Sequence, residues 1–384
     1  MRIVLIRFAL IVGGNKKMKK SKTMSEAWLY LVLLTALFML SANPARADGY
    51  CKASGGLKYI CGPQNAEDIL QLGHTRWLIT SGMDGSQQKT GAPGHIYLVD
   101  SRNKTYEEFF PGVHPVFRQD RRMFPDCHGP INPKKFSAHG IALRERSAGR
   151  YRLYITSHGE REAIEAFDID ARGGKPAIAW TGCVPLPKTM WPNSVVILSD
   201  GGFVTTKFSD PTKPDDFDKI MRAKITGSVY EWHPGGEVTK IPGTALSGPN
   251  GIAISKDDRW IYVAVSGTHK VVRYDRTARP VTAKSVTISI RPDNIRWGDD
   301  GMLYTVGDNY VPYSECAALP CGVGWSIIRI DPRTMSAKRV AGAGEDTAIP
   351  APSVAVPVGN EFWIGSFAAD RIGYMPRTAA SGRN

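Results

Sequence analysis

The chain has 384 residues and a formal net charge of +13, and it is rich in Gly (39) and Pro (26). Residues 1–47 hold eight of the 49 Lys/Arg and one of the 36 Asp/Glu, so the remaining 41 basic and 35 acidic residues give +6. That part has no Lys/Arg run and no basic helix, which argues against a nucleic-acid-binding protein. We therefore expect no nucleic acid among its partners.

Residues 1–47 have the pattern of a secretory signal peptide. A lysine-rich stretch precedes an apolar run at residues 28–40, and residues 45–47 (Ala-Arg-Ala) are typical of a signal-peptidase site. The apolar run is too short to cross a bilayer comfortably. We predict cleavage before Asp48, export to the periplasm or the medium, and a mature chain without a stable transmembrane segment. A retained N-terminal anchor is the alternative.

Six copies of one pattern follow: a polar residue, an alternating apolar strand, a Gly/Asp turn and a second strand with aromatic residues. The leading polar residues are Asp68, His139, Asn193, Asn250, Asn294 and Ser353. Their spacing of 44 to 71 residues suits one supersecondary unit per copy, and a radially repeated all-β fold explains the series. We predict a single six-bladed β-propeller domain over residues 48–384.

Two segments depart from the repeat. Residues 210–224 begin with a Pro- and Asp-rich loop and end in a short predicted helix, which we expect to cover one mouth of the central channel. Residues 105–136 are a second candidate lid. Insertions of this kind are often surface elaborations, and some of them gate a site.

The mature chain contains six cysteines: Cys51, Cys61, Cys127, Cys183, Cys316 and Cys321. An even number in an exported chain indicates disulfides, although six cysteines allow 15 pairings. The simplest set joins each cysteine to the next one along the chain. Zinc, haem attachment and metalloprotease chemistry lack support, because the sequence has no CxxC, CxxCH or HExxH motif.

Equivalent positions of propeller repeats point to the same place, so the leading polar residues are expected near the central channel. Two further carboxylates, Glu67 and Asp293, stand beside the leaders Asp68 and Asn294. Carboxylate and amide oxygens without thiolates are the ligands that Ca²⁺ prefers. We interpret the set as a calcium site on the axis. The alternative is that each Asn or Asp merely begins a turn by bonding its own backbone.

Several short motifs, in fixed order, carry a family resemblance through nearly the whole mature chain. They are Ala66-Glu67-Asp68-Ile69, Ala138-His139-Gly140-Ile141, Thr156-Ser157-His158, Pro192-Asn193, Pro249-Asn250-Gly251-Ile252, His269-Lys270-Val271, Pro292-Asp293-Asn294-Ile295 and Phe362-Trp363-Ile364-Gly365. With them the chain resembles the six-bladed calcium propellers of the paraoxonase/arylesterase and gluconolactonase (senescence-marker-protein-like) superfamily. The likeness is closer on the paraoxonase side.

The resemblance implies specific roles for several residues. The catalytic calcium shell falls on Glu67, Asn193, Asn250, Asp293 and Asn294, and a proposed histidine dyad falls on His139 and His158. A second, structural calcium falls on Asp68 and the backbone carbonyl of Ile141. Ser194 stands where the family has another Asp of that second site, which puts the second ion in question. Lys207 lies in a stretch where paraoxonases carry an Asn-Asp-His phrase, so substrate preference does not transfer.

These roles predict an exported Ca²⁺-dependent hydrolase of lactones or aryl esters. The ion polarises the carbonyl, and water attacks it with His139 as general base and His158 orienting or relaying. Glu67 is the alternative base. The sequence has no GxSxG motif, which argues against a serine hydrolase.

Other functions remain open at this stage. One is a gluconolactonase-like sugar-lactone hydrolase, and another is a non-catalytic, calcium-stabilised propeller that binds a ligand or a protein. A relative that catalyses condensation, like strictosidine synthase, is disfavoured because the oxygen set is intact.

Overall fold

The structure is a computed structural model that describes residues 51–85, 90–311, 324–344 and 347–377. Within these ranges the chain forms 24 β-strands, one short α-helix and two 3-10 turns, Pro133–Lys135 and Ser266–Thr268. The strands make six four-stranded antiparallel sheets. The predicted six-bladed β-propeller is confirmed.

Within each of the first five blades, the strands run from the inside outwards in chain order. β1 (Lys58–Cys61) comes first, and blade 1 follows with β2 (Ala66–Gln71), β3 (Trp77–Gly82), β4 (His95–Asp100) and β5 (Thr105–Phe110). Blade 2 has β6 (Phe136–Ser147), β7 (Arg150–Gly159), β8 (Ala163–Asp170) and β9 (Ala177–Pro185). Blade 3 has β10 (Trp191–Ile197), β11 (Phe203–Ser209), β12 (Ser228–Trp232) and β13 (Thr239–Lys240).

The other three blades repeat the arrangement. Blade 4 has β14 (Pro249–Ile254), β15 (Trp260–Val265), β16 (Lys270–Asp275) and β17 (Thr282–Thr287). Blade 5 has β18 (Ile295–Trp297), β19 (Leu303–Asp308), β20 (Trp325–Ile330) and β21 (Ala337–Ala343). Blade 6 has β22 (Pro352–Val358), β23 (Glu361–Ser366) and β24 (Arg371–Pro376), with β1 as its outermost strand.

β1 closes the ring. It pairs antiparallel with β24, so that Lys58 lies opposite Tyr374 and Cys61 lies opposite Arg371. Main-chain hydrogen bonds between the start and the end of the sequence therefore complete blade 6. The Cys51–Cys61 disulfide ties the segment before β1 to the end of that strand.

Apolar side chains fill the spaces between neighbouring blades. Strands rich in Val, Ile and aromatic residues suit this packing of sheet against sheet. Between blades 6 and 1, for example, Ile69 and Leu78 pack in one buried cluster with Trp363, which is fully buried. Trp180 and Tyr154 have the same role in the largest cluster, which blade 2 dominates.

The innermost strands of five blades lose their regular register at the polar residues that lead the sequence repeats. The residues inside these breaks include Glu67, His139, Asn193, Asn250 and Ser353. A bulge bends the strand locally and re-aims its side chains. The bulges therefore present the polar groups at the axis, while the rest of each strand keeps its apolar alternation.

Glycine follows two of these polar residues because neighbouring inner strands approach each other closely there. A Cβ on Gly140 would lie 2.4 Å from the carbonyl oxygen of Asn193, and one on Gly251 would lie 2.6 Å from that of Asp293. Only glycine leaves room for such an approach. These two residues set how near the blades come at the axis.

The predicted helix is present as α1 (Asp216–Met221), with acidic residues in its first turn, where they suit the helix dipole. Its residues Phe217, Ile220 and Met221 line a cavity that opens at the axis. The helical part of the lid prediction is thus confirmed.

The second candidate lid, residues 105–136, is wrong. Its first six residues are the outer strand β5, and Val116 and Arg118 then exchange backbone hydrogen bonds with Trp180 of β9. The Cys127–Cys183 disulfide, one of the predicted pairings, fastens the segment there. The segment around residues 116–118 thus packs on the outer strand of blade 2, and none of residues 105–136 is among those that line the cavity at the axis.

Some predictions fall outside the described residues, namely the signal peptide at residues 1–47 and the pairing of Cys316 with Cys321. The Cys51–Cys61 and Cys127–Cys183 pairings are confirmed. Within the described ranges, no helix has the length and hydropathy needed to span a membrane.

Candidate metal centre

Side chains from several blades converge on the axis. Asn294 Nδ2 donates to Glu67 Oε1 at 2.6 Å, and this oxygen lies 3.6 Å from His139 Nε2. His139 Nε2 in turn lies 3.2 Å from Asn193 Nδ2. Blades 5, 1, 2 and 3 thus meet in one group of side chains, which are all buried.

Asn250 and Asp293 join this group, since Asp293 is hydrogen-bonded by Asn250 and its charge interacts with that of Glu67. Five buried oxygens of the enlarged group have no hydrogen-bond partner in the described part of the chain. They are Glu67 Oε2, Asn193 Oδ1, Asn250 Oδ1, Asp293 Oδ1 and Asn294 Oδ1. A buried polar atom left unpaired costs about 1 to 3 kcal/mol, so five together need an explanation. They belong to the five residues that the family resemblance placed around calcium. The structure brings these residues together, and their binding of calcium stays a prediction.

The two carboxylates of this set are protonated more readily than usual. Burial raises the pKa of Glu67 to about 7, against the effects of the Asn294 hydrogen bond and the Arg296 charge. Burial, helped by the charge of Glu67, raises the pKa of Asp293 well above its usual range, against a hydrogen bond from Asn250. Both shifts show that negative charge here lacks compensation, which a bound cation would supply.

The donor set suits a hard cation. Two carboxylates and three amides offer only oxygen, and Ca²⁺ binds such ligands in flexible geometry. The described residues contain no metal-binding group of three or more His, Cys, Asp or Glu. Zinc is usually bound by Cys sulfur and His nitrogen, whereas the five residues of this set offer oxygen.

Hydroxyl groups of neighbouring blades hold the backbone beneath these side chains. Thr156 Oγ1 donates to the carbonyl oxygen of Asn193 at 2.9 Å, and Thr206 Oγ1 donates to that of Asn250 at 2.6 Å. Ser353 Oγ donates to the carbonyl oxygen of Glu67 at 2.6 Å. Each bond fixes a polar residue from the adjacent blade, so the oxygens are held in place before any ligand arrives.

Asp68 lies beside the metal set but has a different partner. Arg296 Nε donates to Asp68 Oδ1 at 2.9 Å, and Arg296 Nη2 donates to Asp68 Oδ2. Nη2 also donates to the carbonyl oxygen of Ile141 at 3.2 Å. The backbone N–H groups of Ile69 and Ile141 also donate to Asp68, each at 2.9 Å. Burial lowers the pKa of Arg296 only to about 10, so it stays charged.

The residues implied for a second, structural calcium therefore do not fit that ion. The Arg296 guanidinium donates hydrogen bonds to both Asp68 oxygens and to the Ile141 carbonyl oxygen. These are the groups that the family resemblance assigned to the structural calcium. Ser194 contributes a neutral hydroxyl, which is buried and has no partner among the described residues. We therefore leave Asp68 out of the proposed metal ligands.

The two predicted catalytic histidines are in contact, and their hydrogen bonds fix the tautomers. Trp191 Nε1, which can only donate, lies 2.7 Å from His158 Nε2, so this nitrogen accepts. His158 Nδ1 then carries the proton and donates to Glu162 Oε2 at 2.6 Å. His139 Nδ1 also lies 2.9 Å from His158 Nε2, and because that nitrogen carries no proton, His139 Nδ1 is the donor and shares the acceptor with Trp191. The lone pair of His139 is thereby on Nε2, which faces the metal set and accepts a hydrogen bond from Asn193 Nδ2 at 3.2 Å.

His139 is held neutral. Burial, with a smaller effect from His158, lowers its pKa well below the usual value for histidine. A general base must be a neutral imidazole, and here the unprotonated nitrogen of that imidazole is directed at the metal set.

A cavity of about 630 Å³ opens above the metal set. His139, Asn193 and Asn250 lie among its lining residues, and most of its walls are apolar, formed by Trp191, Phe208, Phe217, Ile220, Met221 and Phe367. A concave, largely apolar space with a few convergent polar groups is typical of a small-molecule site.

Sequence reasoning missed three partners of this site, namely Glu162, Trp191 and Arg296. Glu162 is four residues after His158, the one local signal available. Lys207, in the stretch where paraoxonases carry an Asn-Asp-His phrase, is half-buried in β11. The pKa of Asp210 is lowered mainly by hydrogen bonding from Thr212, and the charge of Lys207 contributes to this shift. Lys207 is not among the residues that line the cavity.

Known structures resemble this one in fold. A solved structure provisionally assigned as a gluconolactonase matches 87% of this chain and 96% of its own, with 15% sequence identity and a TM-score of 0.50. Virginiamycin B lyase from Staphylococcus aureus, solved as a catalytically inactive form with quinupristin, matches 81% of each chain, with 16% identity and a TM-score of 0.41. Among curated proteins no sequence match was found.

A family model identifies the group to which the sequence is related. The model for the SMP-30/gluconolactonase/LRE-like region matches residues 138–347, which is more than half of the chain. Members of this family are commonly lactonases or other hydrolases and are often metal-dependent. The matched range contains both histidines and four of the five metal-set residues. The chain belongs to the SMP-30/gluconolactonase/LRE-like family.

Proposed function

We propose that this protein is an exported, Ca²⁺-dependent hydrolase of lactones or aryl esters. The observation that carries the proposal is the meeting of five unpaired buried oxygens with the lone pair of a neutral His139 beneath one cavity. Export and a mature domain of residues 48–384 are parts of the same proposal. The two disulfides support them, because such bonds form in oxidising compartments.

Calcium bound by Glu67, Asn193, Asn250, Asp293 and Asn294 would supply Lewis-acid polarisation of the substrate carbonyl. The protein itself manages the proton. His139 Nε2 accepts a proton from the attacking water as the water oxygen bonds to the carbonyl carbon, and it returns that proton to the alcohol oxygen when the ester C–O bond breaks. Each turnover therefore leaves the enzyme in its starting protonation state.

His158 and Glu162 support His139 without touching the substrate. When His139 is protonated, its Nδ1–H still donates to His158 Nε2, and Glu162 offers a negative charge at the far end of the chain of hydrogen bonds. Trp191 holds His158 in the accepting tautomer. These three are positioning residues that keep the free nitrogen of His139 directed at the reaction.

The walls of the cavity favour apolar lactones and aryl esters over sugar lactones. A sugar lactone carries several hydroxyl groups, and burying them against Trp191, Phe208 or Ile220 would leave them without partners. The non-catalytic alternative, a propeller in which calcium only stabilises the ring, predicts metal binding without turnover.

The decisive experiment combines turnover with calcium binding. We expect the purified protein to hydrolyse at least one member of a panel of aliphatic lactones, aromatic lactones, gluconolactone and phenyl acetate, and to lose that activity reversibly with a calcium chelator. Silence across the panel with calcium bound would favour the non-catalytic alternative.

Ligand variants test the metal centre itself. Asp293→Asn removes a charge that the cation faces, and we expect it to weaken calcium binding about 100-fold, which corresponds to ~3 kcal/mol. Asn250→Ala should weaken binding about tenfold by removing a neutral oxygen. Asn103→Ala, in the turn between the two outer strands β4 and β5 of blade 1, is the matched control. Calorimetric affinities equal to those of the wild type in both ligand variants would refute the assignment.

A further inference from the structure

Arg291 is a buried cation in the wall of the cavity. It stands two residues before Asp293, and only 8% of its surface is exposed. Its side chain lines the cavity together with His139, Asn193 and Asn250. A positive charge is thus placed in the same space as the metal set and the base, although the walls around it are mostly apolar.

The Arg291 guanidinium forms no ion pair with a carboxylate in the described ranges, although Asp308 also lines the cavity and its charge interacts with that of Arg291. Nε and Nη1 are buried and make no hydrogen bond there. Its nearest recorded neighbour is the ring of Tyr310, with Cζ 5.8 Å from the ring centroid. The backbone N–H of Arg291 donates to the carbonyl oxygen of Asp308 at 2.9 Å. Charged donors buried without acceptors are costly and are normally retained for a ligand.

Other buried arginines of this protein are satisfied, which makes Arg291 an exception. Arg296 donates to Asp68, and Arg152 donates to Asp168 at 2.8 Å. The fold therefore provides acceptors where an arginine is structural. Arg291 instead lines a space of about 630 Å³ while its Nε and Nη1 lack an acceptor among the described residues.

We propose that Arg291 binds a carboxylate of the substrate, so that the preferred substrates are apolar lactones or aryl esters that carry a carboxylate away from the reacting carbonyl. This inference rests on the proposed function and narrows its substrate class. A planar guanidinium matches the geometry of a carboxylate, and its hydrogen bonds to an ion are stronger than neutral ones. The apolar walls take the remainder of the molecule.

Matched substrates test the inference by turnover. The ortho, meta and para acetoxybenzoates carry a carboxylate, and the corresponding acetoxybenzamides are neutral and of similar shape. With wild-type protein and calcium, we expect at least one acetoxybenzoate to have a KM at least about tenfold below that of its amide, because a charge-assisted bond is added. Equal KM values for all three pairs would overturn the inference.

Variants of Arg291 identify the residue responsible. Arg291→Met keeps an unbranched apolar stem, and we expect it to raise the KM of the preferred acetoxybenzoate about 30-fold while the KM of the amide changes less than about threefold. Arg291→Lys keeps the charge and should restore part of the loss. The control is Arg273→Met, because Arg273 lies in β16 and is not among the cavity-lining residues. An equal effect of Arg291→Met on both substrates would contradict a carboxylate-binding role.

A binding measurement separates this inference from the proposed function. Phenylpropionate and its amide are not hydrolysed as esters, and calorimetry with the calcium-loaded protein reports their affinity directly. Phenylpropionate should bind the wild type more tightly than Arg291→Met, and its amide should not distinguish the two proteins. If this difference appears while no ester is hydrolysed, the hydrolase proposal fails and the anion site stands. If esters are hydrolysed and the difference is absent, the anion site fails.

Discussion

Two neighbouring groups of buried oxygens lie near the axis, and they differ in the source of the positive charge that compensates their negative charge. Asp68 is bonded by Arg296, a cation encoded in the chain, and by two backbone N–H groups. Glu67 and Asp293, in contrast, have oxygens without partners among the described residues and raised pKa values. The first group is complete as folded, and we propose that the second is completed by a cation from solution.

The difference separates a structural role from a functional one. A buried ion pair within the chain holds strands together under all conditions in which the protein is folded. A group that must recruit its cation can leave coordination positions open for a substrate. The resemblance to calcium propellers predicts ions in both places, whereas the side chains fit an external ion in only one of them.

Removal of the internal cation should have the largest effect. Arg296→Met leaves the Asp68 carboxylate buried without its charged partner, and we expect the free energy of unfolding to fall by about 3 to 5 kcal/mol. Chemical denaturation of the calcium-loaded protein measures this loss. The wild type should bind one calcium ion per chain by elemental analysis, since Arg296 fills the second position.

The matched control is Arg152→Met, which removes another buried arginine paired with an aspartate, Asp168, that is 43% exposed as a side chain. Because Asp168 can be hydrated, we expect a loss of no more than about 1 kcal/mol from the ion pair. Two calcium ions per wild-type chain, or equal losses in both variants, would remove the distinction between the two groups.

The pH dependence of calcium binding should show the next largest effect. The pKa of Glu67 is raised to about 7, so below that value a proton competes with the ion. Calcium affinity should therefore fall about tenfold for each pH unit below 7 for each proton displaced, which is ~1.4 kcal/mol per unit. Calorimetry between pH 5 and 8, in buffers of different ionisation enthalpy, measures both the affinity and the protons released.

Stability without calcium should change in the opposite direction. A carboxyl whose pKa is higher in the folded state than in the unfolded state stabilises the fold at low pH, and this contribution is lost as the pH rises towards 7. The stabilisation by calcium should thus grow from pH 5 to pH 8. Arg296, with a pKa of about 10, stays charged throughout. If the stabilisation of the fold by calcium did not change with pH, the contrast between the Glu67 group and the Asp68–Arg296 group would be refuted.

Replacement of the base should have the smallest effect on binding but a clear effect on turnover. We expect His139→Gln to retain calcium and to lower kcat at least about tenfold, since a positioned base is lost. Glu162→Gln should lower kcat by a smaller factor, and its loss should appear in the pH profile because the relay to His139 is weakened. Unchanged turnover in His139→Gln would favour Glu67 as the base.

The parts that the sequence predicted well are those that repeat. Six copies of one hairpin pattern predict six blades, and residues in the same phase of the repeats, such as Asn193 and Asn250, must face the same axis. The bulges and the close approaches at Gly140 and Gly251 explain how that phase becomes a shared centre. Periodicity is visible in a sequence, and for that reason the number of blades and the shared phase of the polar residues could be predicted.

Contacts between residues far apart in sequence were not predictable in the same way. Asp68 and Arg296 are 228 residues apart, and nothing local in either segment indicates the other. Trp191 likewise reaches His158 only once blades 2 and 3 are packed, whereas Glu162 is only four residues from His158. The position of residues 105–136 likewise depends on a distant contact, since the Cys127–Cys183 disulfide joins residues 56 positions apart and holds the segment against blade 2.

The pairing of β1 with β24 has a consequence for biogenesis. The first strand remains without its neighbour until the ribosome has made almost the entire polypeptide, and such distant pairings form slowly. Ser353, in the last blade, also supplies the hydroxyl that fixes the Glu67 backbone. If the proposed calcium site is correct, a nascent or truncated polypeptide that lacks blade 6 would bind the cation poorly, so calcium binding would report completion of the ring.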